Sequence, residues 1–310
     1  SQAPANSMAT APATVAQDEP QELSARAVEL AQKTLIVDGH IDLPYRLEAS
    51  RDEAGAITED VTVRTDKGDF DYVRSRAGGL DVPFMSIYVP AKYQNEGGAK
   101  AVADGLIDMV EDIAKRAPDK FEMVHTTAQT RAILGTGKVG LALGIENGAA
   151  LESELKNVDH FFKRGVRYIT LTHSKDNAIC DSSYDDARTH GGLTAFGKEV
   201  VVRMNTLGIM IDISHVSDAA FYDVMKITRA PVIASHSSAR HFTPGFERNM
   251  SDDMIRLVGE NKGVVMINFG STFISAKSRE HSSARRTVLR AFMDERKLEW
   301  QDSEVQAYKE

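Results

Sequence analysis

The chain has 310 residues, 42% of them hydrophobic, which is enough for one large α/β domain or two small ones. Its net charge is -8, from 37 Lys and Arg against 45 Asp and Glu, and no basic run stands out, so nucleic acid is not an expected partner. The single cysteine, Cys180, excludes an intrachain disulfide and a thiolate zinc cluster, so any metal must be held by His, Asp and Glu.

Residues 1–23 are predicted to be a disordered or extended leader, because they are rich in Ala, Pro, Ser and Thr and do not begin with Met. We favour an exported protein, periplasmic or extracellular, whose mature chain starts here after signal cleavage. The alternative is an artificial leader before a natural loop, which leaves a cytoplasmic protein open. No run of about 18 apolar residues occurs, so no transmembrane segment is predicted.

From residue 24 onward, short β-branched runs alternate with longer segments of helical period, which is typical of βα units around a parallel sheet. The predicted strands are 35–38, 80–89, 139–145, 168–172, 209–214, 232–235 and 264–269.

Three predicted helices between these strands have clear boundaries. The first must stop near Pro118, the second has Gly208 as a C-terminal cap, and the third has Ser217 as an N-cap. Their apolar stripes are formed by Val102, Leu106, Val110 and Ile113, by Phe196, Val200, Met204 and Leu207, and by Phe221, Val224 and Met225.

The alternation predicts an α/β fold, a (β/α)8 TIM-type barrel whose last strand is missing from this chain. Residues 271–310 are mostly charged and helical in pattern, with no buried strand among them. We therefore expect one metal-dependent hydrolase barrel over residues 24–310, incomplete at its C-terminus. An open doubly wound sheet would also accept seven strands, but it places ligands at one switch point rather than around a ring of strand ends.

Potential metal ligands follow four of the predicted strands, where barrel enzymes carry their catalytic groups. The segments are Asp38-Gly39-His40-Ile41-Asp42, Gly144-Ile145-Glu146-Asn147, Asp212-Ile213-Ser214-His215 and Ser235-His236-Ser237. On an extended strand, residues two apart share a face, so His40 and Asp42 are expected to reach one metal. Five ligands with one shared carboxylate would hold two metals.

Each of these residues alone has a simpler explanation. A lone strand-end histidine is more often a hydrogen-bonded structural residue or an acid-base group than a ligand, and an HxD pair is a weak pattern. The joint occurrence at four strand ends favours a metal centre, because core-facing strand positions seldom carry charge.

The ordered set of motifs resembles the renal (membrane) dipeptidase family, zinc-dependent peptidases of the amidohydrolase-like barrel group. The resemblance runs from about residue 24 to about residue 270. It is carried by the four segments above together with Ala77-Gly78-Gly79-Leu80, Phe84-Met85-Ser86-Ile87-Tyr88-Val89-Pro90, Leu171-Thr172-His173, the stretch 231–238, and Arg248-Asn249 with Asp252.

The resemblance implies a site with two zinc ions. His40 and Asp42 would bind one zinc, His215 and His236 the other, and Glu146 would bridge them.

The resemblance also implies that a hydroxide between the metals hydrolyses the peptide bond of small dipeptide substrates. His173 would hydrogen-bond the scissile carbonyl, and Arg248 would pair with the substrate's terminal carboxylate. Without the resemblance, the simpler interpretation is that His173 anchors a loop and that Arg248 belongs to a surface ion pair. The family's acid-base aspartate has no counterpart before Glu310, so we expect it beyond that residue in a longer protein. Homodimers are common in the family and are allowed here.

Two alternative functions fit the same motifs. One is another barrel metallohydrolase, a lactonase or amidohydrolase, because the fold and the metal site alone do not choose the substrate. The other is a non-catalytic, metal-stabilised barrel that binds peptides, which the missing aspartate favours. Dipeptide preference, stereochemistry and β-lactam cleavage are not encoded in any motif that we identify.

Overall fold

The computed structural model describes residues 24–298, 304–305 and 308, and the leader predicted for residues 1–23 lies outside this part of the chain. Its strands are β1 (Ile36–Ile41), β2 (Leu80–Tyr88), β3 (Phe121–Met123), β4 (Val139–Glu146), β5 (Val166–Thr170), β6 (Met210–Asp212), β7 (Ile233–Ser237) and β8 (Val264–Ile267).

The α-helices are α1 (Ala25–Lys33), α2 (Leu43–Ala49), α3 (Tyr72–Gly78), α4 (Tyr93–Glu96), α5 (Ala99–Arg116), α6 (Thr127–Ile133), α7 (Lys156–Lys163), α8 (Ala195–Leu207), α9 (Asp218–Ile227), α10 (Asp252–Glu260), α11 (Ser271–Ile274) and α12 (Ala276–Arg296). Short 3-10 helices cover Gly148–Leu151 and Arg240–Phe242. No helix in the described residues is both long and apolar enough to cross a membrane.

The strands form one parallel sheet in the order β1-β2-β4-β5-β6-β7-β8, with β3 paired to β4 outside this path. The seven strands of the path curve into a nearly closed barrel, which confirms the predicted TIM-type fold. All seven predicted strands are present, whereas β3 was not predicted. Within the described residues, β1 and β8 are the two ends of the path.

The predicted helix boundaries are confirmed by local hydrogen bonds. Helix α5 ends at Arg116, shortly before Pro118, and Gly208 caps α8 in the left-handed conformation with φ 81°. The hydroxyl of Ser217 accepts a hydrogen bond from the backbone N–H of Ala220 and so caps α9. Each helix places its apolar stripe on the sheet.

Strand β4 is the most deeply buried part of the sheet, because all eight of its residues are buried. Neighbouring strands cover both of its edges and the helices cover its outer face, as expected for a central parallel strand. Glu146, the last residue of β4, is therefore held on a rigid support and is only 3% exposed.

Gly39 allows β1 to approach β7 closely. A Cβ atom at this position would lie 2.4 Å from the backbone oxygen of Ser235 and 2.2 Å from Sδ of Met266. We expect Gly39→Ala to destabilise the protein by about 1–3 kcal/mol, because the strand backbones must separate to relieve the overlap. Denaturant unfolding measures this loss.

Gly105 in α5 is the matched control, because a Cβ atom there would contact nothing within 4 Å. Gly105→Ala should stabilise the protein by up to about 1 kcal/mol through helix propensity. Equal stabilities for the two variants would contradict the close approach at Gly39.

Candidate active site

The five predicted ligands meet at the carboxyl ends of the strands. His40 lies in β1, Glu146 ends β4, and His236 lies in β7. Asp42 directly precedes α2, and His215 follows β6 by three residues. Strand ends from distant parts of the sequence thus converge on Glu146.

Asp42 does not continue the extended strand, so the prediction that His40 and Asp42 share the face of one strand was wrong in detail. The pairing of β1 with β2 shifts register between Asp38 and Ile41, and Asp42 has φ -78° and ψ 29°. The turn into α2 nevertheless brings the Asp42 carboxylate towards the imidazole. His40 Nε2 lies 3.3 Å from Asp42 Oδ1.

The two carboxylate oxygens of Glu146 face different partners. Its Oε2 lies 3.5 Å from Nε2 of His40, while its Oε1 lies 3.0 Å from Nε2 of His215 and 3.3 Å from Nε2 of His236. The His215 and His236 Nε2 atoms are 2.9 Å apart. Glu146 therefore faces His40 with one carboxylate oxygen and both His215 and His236 with the other.

This donor set fits metal binding. Metal bonds of about 2.0–2.2 Å place neighbouring ligand atoms roughly 3.3–3.6 Å apart around a tetrahedral ion, and the distances between these side chains come close to that range. Ligand atoms within 4.8 Å of one another form two overlapping groups, His40 with Glu146 and His236, and Glu146 with His173 and His215. Glu146 belongs to both groups.

The electrostatics of the site favour a cation beside Glu146. Burial opposes protonation of His40, but the carboxylates of Glu146 and Asp42 outweigh it and raise the pKa of His40 to about 9. Burial, reinforced by nearby cationic groups, lowers the pKa of His215 and of His236 well below its ordinary value. These two imidazoles are therefore neutral at pH 7, as metal ligands must be.

His173 follows β5 and lies beside the cluster. Its Nε2 is 3.6 Å from Glu146 Oε1, and its ring is centred 4.3 Å from the ring of His215 and 4.7 Å from that of Tyr88. Burial lowers its pKa, and the charge of Arg248 acts in the same direction. His173 is thus a neutral side chain that can donate one hydrogen bond.

Arg248 is almost fully buried, at 2% exposure. Its Nη1 donates to Ser237 Oγ at 2.6 Å and its Nη2 to the backbone oxygen of His236 at 2.7 Å, while its Nε has no hydrogen-bond partner in the described residues. The guanidinium group lies 5.4 Å from the centre of the Phe273 ring. Among the described residues, no carboxylate lies within 4.0 Å of it.

All seven predicted site residues line one cavity of about 1060 Å³. The residues are His40, Asp42, Glu146, His173, His215, His236 and Arg248. Tyr45, Tyr88 and Phe273 form part of the apolar wall. The cavity is large enough for a small peptide next to the metal-ligand cluster.

Three polar residues behind the cluster were not predicted to be part of the site. The hydroxyl of Tyr168 lies 3.2 Å from Nδ1 of His40, and Ser235 connects His236 to the buried carboxylate of Asp212. The only available signal was that Asp212 and Ser235 occur in the same motifs as His215 and His236.

The sequence of residues 24–297 matches the family model described as membrane dipeptidase (peptidase family M19). The chain belongs to this family. The match covers every residue assigned to the site.

Solved structures of family members have the same fold. The chain is 25% identical to the probable dipeptidase PvdM from Pseudomonas aeruginosa, with a TM-score of 0.69, and the alignment covers 78% of this chain and 62% of that protein. For dipeptidase AC, a metallopeptidase of family M19, the identity is 27%, the TM-score 0.69 and the coverage 79% and 75%.

A third relative is a metallopeptidase from Rhodobacter sphaeroides, solved with a phosphinate mimic of the dipeptide L-Ala-D-Ala. It is 25% identical, with a TM-score of 0.68 and coverage of 79% of this chain and 76% of that protein. The chain thus spans between 62% and 76% of the length of these three relatives.

Proposed function

We propose that this chain carries the catalytic barrel of a zinc-dependent dipeptidase, with two zinc ions bridged by Glu146. The observation that carries the proposal is a buried guanidinium with no carboxylate partner among the described residues, in the same cavity as a cluster of candidate metal ligands. Burying an unpaired cation is costly, so Arg248 is poised for an anionic group of a substrate.

The chain's own residues would divide the work of hydrolysis. Asp42 and His40 would hold one zinc, and His215 and His236 the other. Bound zinc would supply Lewis acidity and would lower the pKa of water, so that hydroxide is available to attack a carbonyl at neutral pH.

Substrate recognition would fall to two further residues. Arg248 would grip the terminal carboxylate, since a planar guanidinium suits bidentate pairing with carboxylates. The neutral imidazole of His173 would donate a hydrogen bond to the carbonyl oxygen as negative charge develops there. Together they limit substrates to peptides with a free carboxylate next to the scissile bond.

The metal content of the purified protein is the first test. We expect about two zinc ions per chain by elemental analysis, and a loss of zinc from His215→Ala because that variant removes a ligand. His241→Ala is the matched control, because His241 is exposed and outside the cluster. Absence of zinc from the wild-type protein, or equal zinc in both variants, would contradict the proposed site.

Hydrolysis of L-Ala-D-Ala and L-Ala-L-Ala tests the reaction. The first is a natural choice because the Rhodobacter sphaeroides relative was solved with a mimic of it. We expect turnover of a free dipeptide, little turnover of its C-terminal amide, and loss of activity with a chelator. Turnover of lactones but not of dipeptides by the zinc-loaded protein would instead support the lactonase alternative.

A further inference from the structure

A chain of hydrogen bonds runs behind His236, through Ser235 to Asp212. The Ser235 Oγ atom lies 2.7 Å from Nδ1 of His236 and 2.7 Å from Oδ2 of Asp212. The opposite ring nitrogen of His236, Nε2, is the atom that faces Glu146 and His215. The imidazole therefore connects the proposed metal position to a carboxylate buried in the barrel.

Asp212 is fully buried, and no Lys or Arg of the described residues forms an ion pair with it. Four hydrogen bonds replace the missing cation. The backbone N–H groups of Ser214 and Ser235 donate to Oδ1 at 3.1 and 2.9 Å, and the hydroxyls of Thr170 and Ser235 reach Oδ2 at 2.5 and 2.7 Å. This set fills the acceptor sites of an ionised carboxylate.

The direction of these bonds determines where the proton of His236 lies. A serine hydroxyl has one hydrogen, so if Ser235 donates to Asp212 it must accept from His236. The imidazole then carries its proton on Nδ1 and leaves the lone pair of Nε2 for a metal.

Among the described residues, the other two histidine ligands do not hydrogen-bond directly to Ser235 or Asp212. Nδ1 of His215 is buried without a hydrogen-bond partner, and that residue is oriented instead by its left-handed backbone, with φ 71°. Nδ1 of His40 meets the neutral hydroxyl of Tyr168 at 3.2 Å. Among the described residues, His236 is thus the ligand that bonds directly to Ser235.

We propose that Asp212 and Ser235 are positioning residues that hold His236 in its Nδ1-protonated form and aim its Nε2 at the metal bound with His215. The inference rests on the ligand role proposed for His236. Partners of this kind raise the basicity of an imidazole ligand and fix its ring, and their loss costs 10–100-fold in metal affinity.

Zinc release from the loaded protein to an excess of a chromogenic chelator tests the proposal. In Ser235→Ala we expect one of the two zinc ions to leave about 10–100 times faster, and the ion at His40 and Asp42 to leave at the wild-type rate. Ser235→Thr keeps the hydroxyl and should restore slow release.

Asp212→Asn should have a larger effect than Ser235→Ala, although it conserves shape. The side-chain N–H of asparagine would donate to Ser235, whose hydrogen would then point at Nδ1 of His236 and favour protonation of Nε2, the atom that must bind metal. If Asp212 and Ser235 only supported the fold, the shape-conserving Asp212→Asn should accelerate zinc release less than Ser235→Ala. If Asp212→Asn does not fold, the Ser235→Ala and Ser235→Thr pair decides.

Ser238→Ala is the matched control. Its hydroxyl is buried nearby, donates to the backbone oxygen of Asn268 at 2.9 Å and touches neither Asp212 nor a ligand. Zinc release at the wild-type rate from Ser235→Ala, or an equally accelerated zinc release from Ser238→Ala, would overturn the proposal.

A second measurement separates this inference from the proposed function. Nitrogen-15 spectra of the wild-type protein with labelled histidines should show the proton of His236 on Nδ1. A proton on Nε2 alone would refute the hydrogen-bond chain from Asp212 through Ser235 to His236. A wild-type protein that binds no zinc but has the Nδ1 proton would refute the metal site and not the hydrogen-bond chain.

Discussion

Glu146→Gln is expected to lower kcat/KM for dipeptides by about 1000-fold or more. Loss of a bound metal would remove Lewis-acid stabilisation of the reacting carbonyl, which is worth several kcal/mol. The glutamine side chain keeps the size of Glu146, but it has one oxygen instead of two and no charge. Since Oε2 faces His40 and Oε1 faces His215 and His236, the amide nitrogen must point at one of these two sides. At least one metal position should therefore lose its occupant.

The measurement is zinc content together with steady-state kinetics on a free dipeptide. Glu122→Gln in β3 is the matched control, because Glu122 is exposed and pairs with Lys138 at the surface, away from the site. It should retain wild-type zinc and activity. A Glu146→Gln protein with two zinc ions and normal turnover would refute the bridging role.

Arg248→Ala is expected to lower kcat/KM for dipeptides on the order of 100-fold or more, since truncating one partner of a buried charge pair costs about 2–5 kcal/mol. Hydrolysis of the corresponding dipeptide amide, which lacks the carboxylate, should change little. Arg248→Lys should recover part of the loss, because it restores the charge but not the planar fork. The comparison of acid and amide substrates isolates the carboxylate contact.

Arg248 also supports the loop after β7 through Ser237 and the backbone of His236. Zinc content and melting temperature must therefore be followed in the same variant. Arg256→Ala in α10 is the matched control, because this arginine is exposed and pairs with Asp253. An equal loss on the acid and the amide substrate would show that Arg248 acts through structure and not through the substrate carboxylate.

The barrel was predictable because its elements obey local rules. Helix α5 has one apolar stripe and a proline after its end, and α8 ends at a left-handed glycine. Strand β3 was not predictable in the same way, since three residues carry too little periodicity to be distinguished from a turn. It pairs with the first three residues of β4, ahead of the part of β4 that pairs with β2 and β5.

The site was predictable to the extent that its ligands end regular strands. Glu146 and His236 follow that rule, whereas Asp42 and His215 reach the cluster through a turn and a left-handed residue that no spacing rule encodes. Arg248 is buried in the loop after β7, which folds back so that Met250 pairs with Ala239, and no spacing rule predicts this. Asp212 and Ser235 were missed because a polar residue in a core strand has no recognisable partner until distant strands meet.

The position of Glu146 within the sheet order has a further consequence for folding. The carboxylate comes from β4, the third strand of the path, while its partners come from β1 at one end and from β7 near the other. Ions held by these groups would fasten early and late parts of the chain to each other, as a cross-link does. Zinc binding and folding of the barrel are then linked equilibria, so the concentration of free zinc sets how stable the folded barrel is.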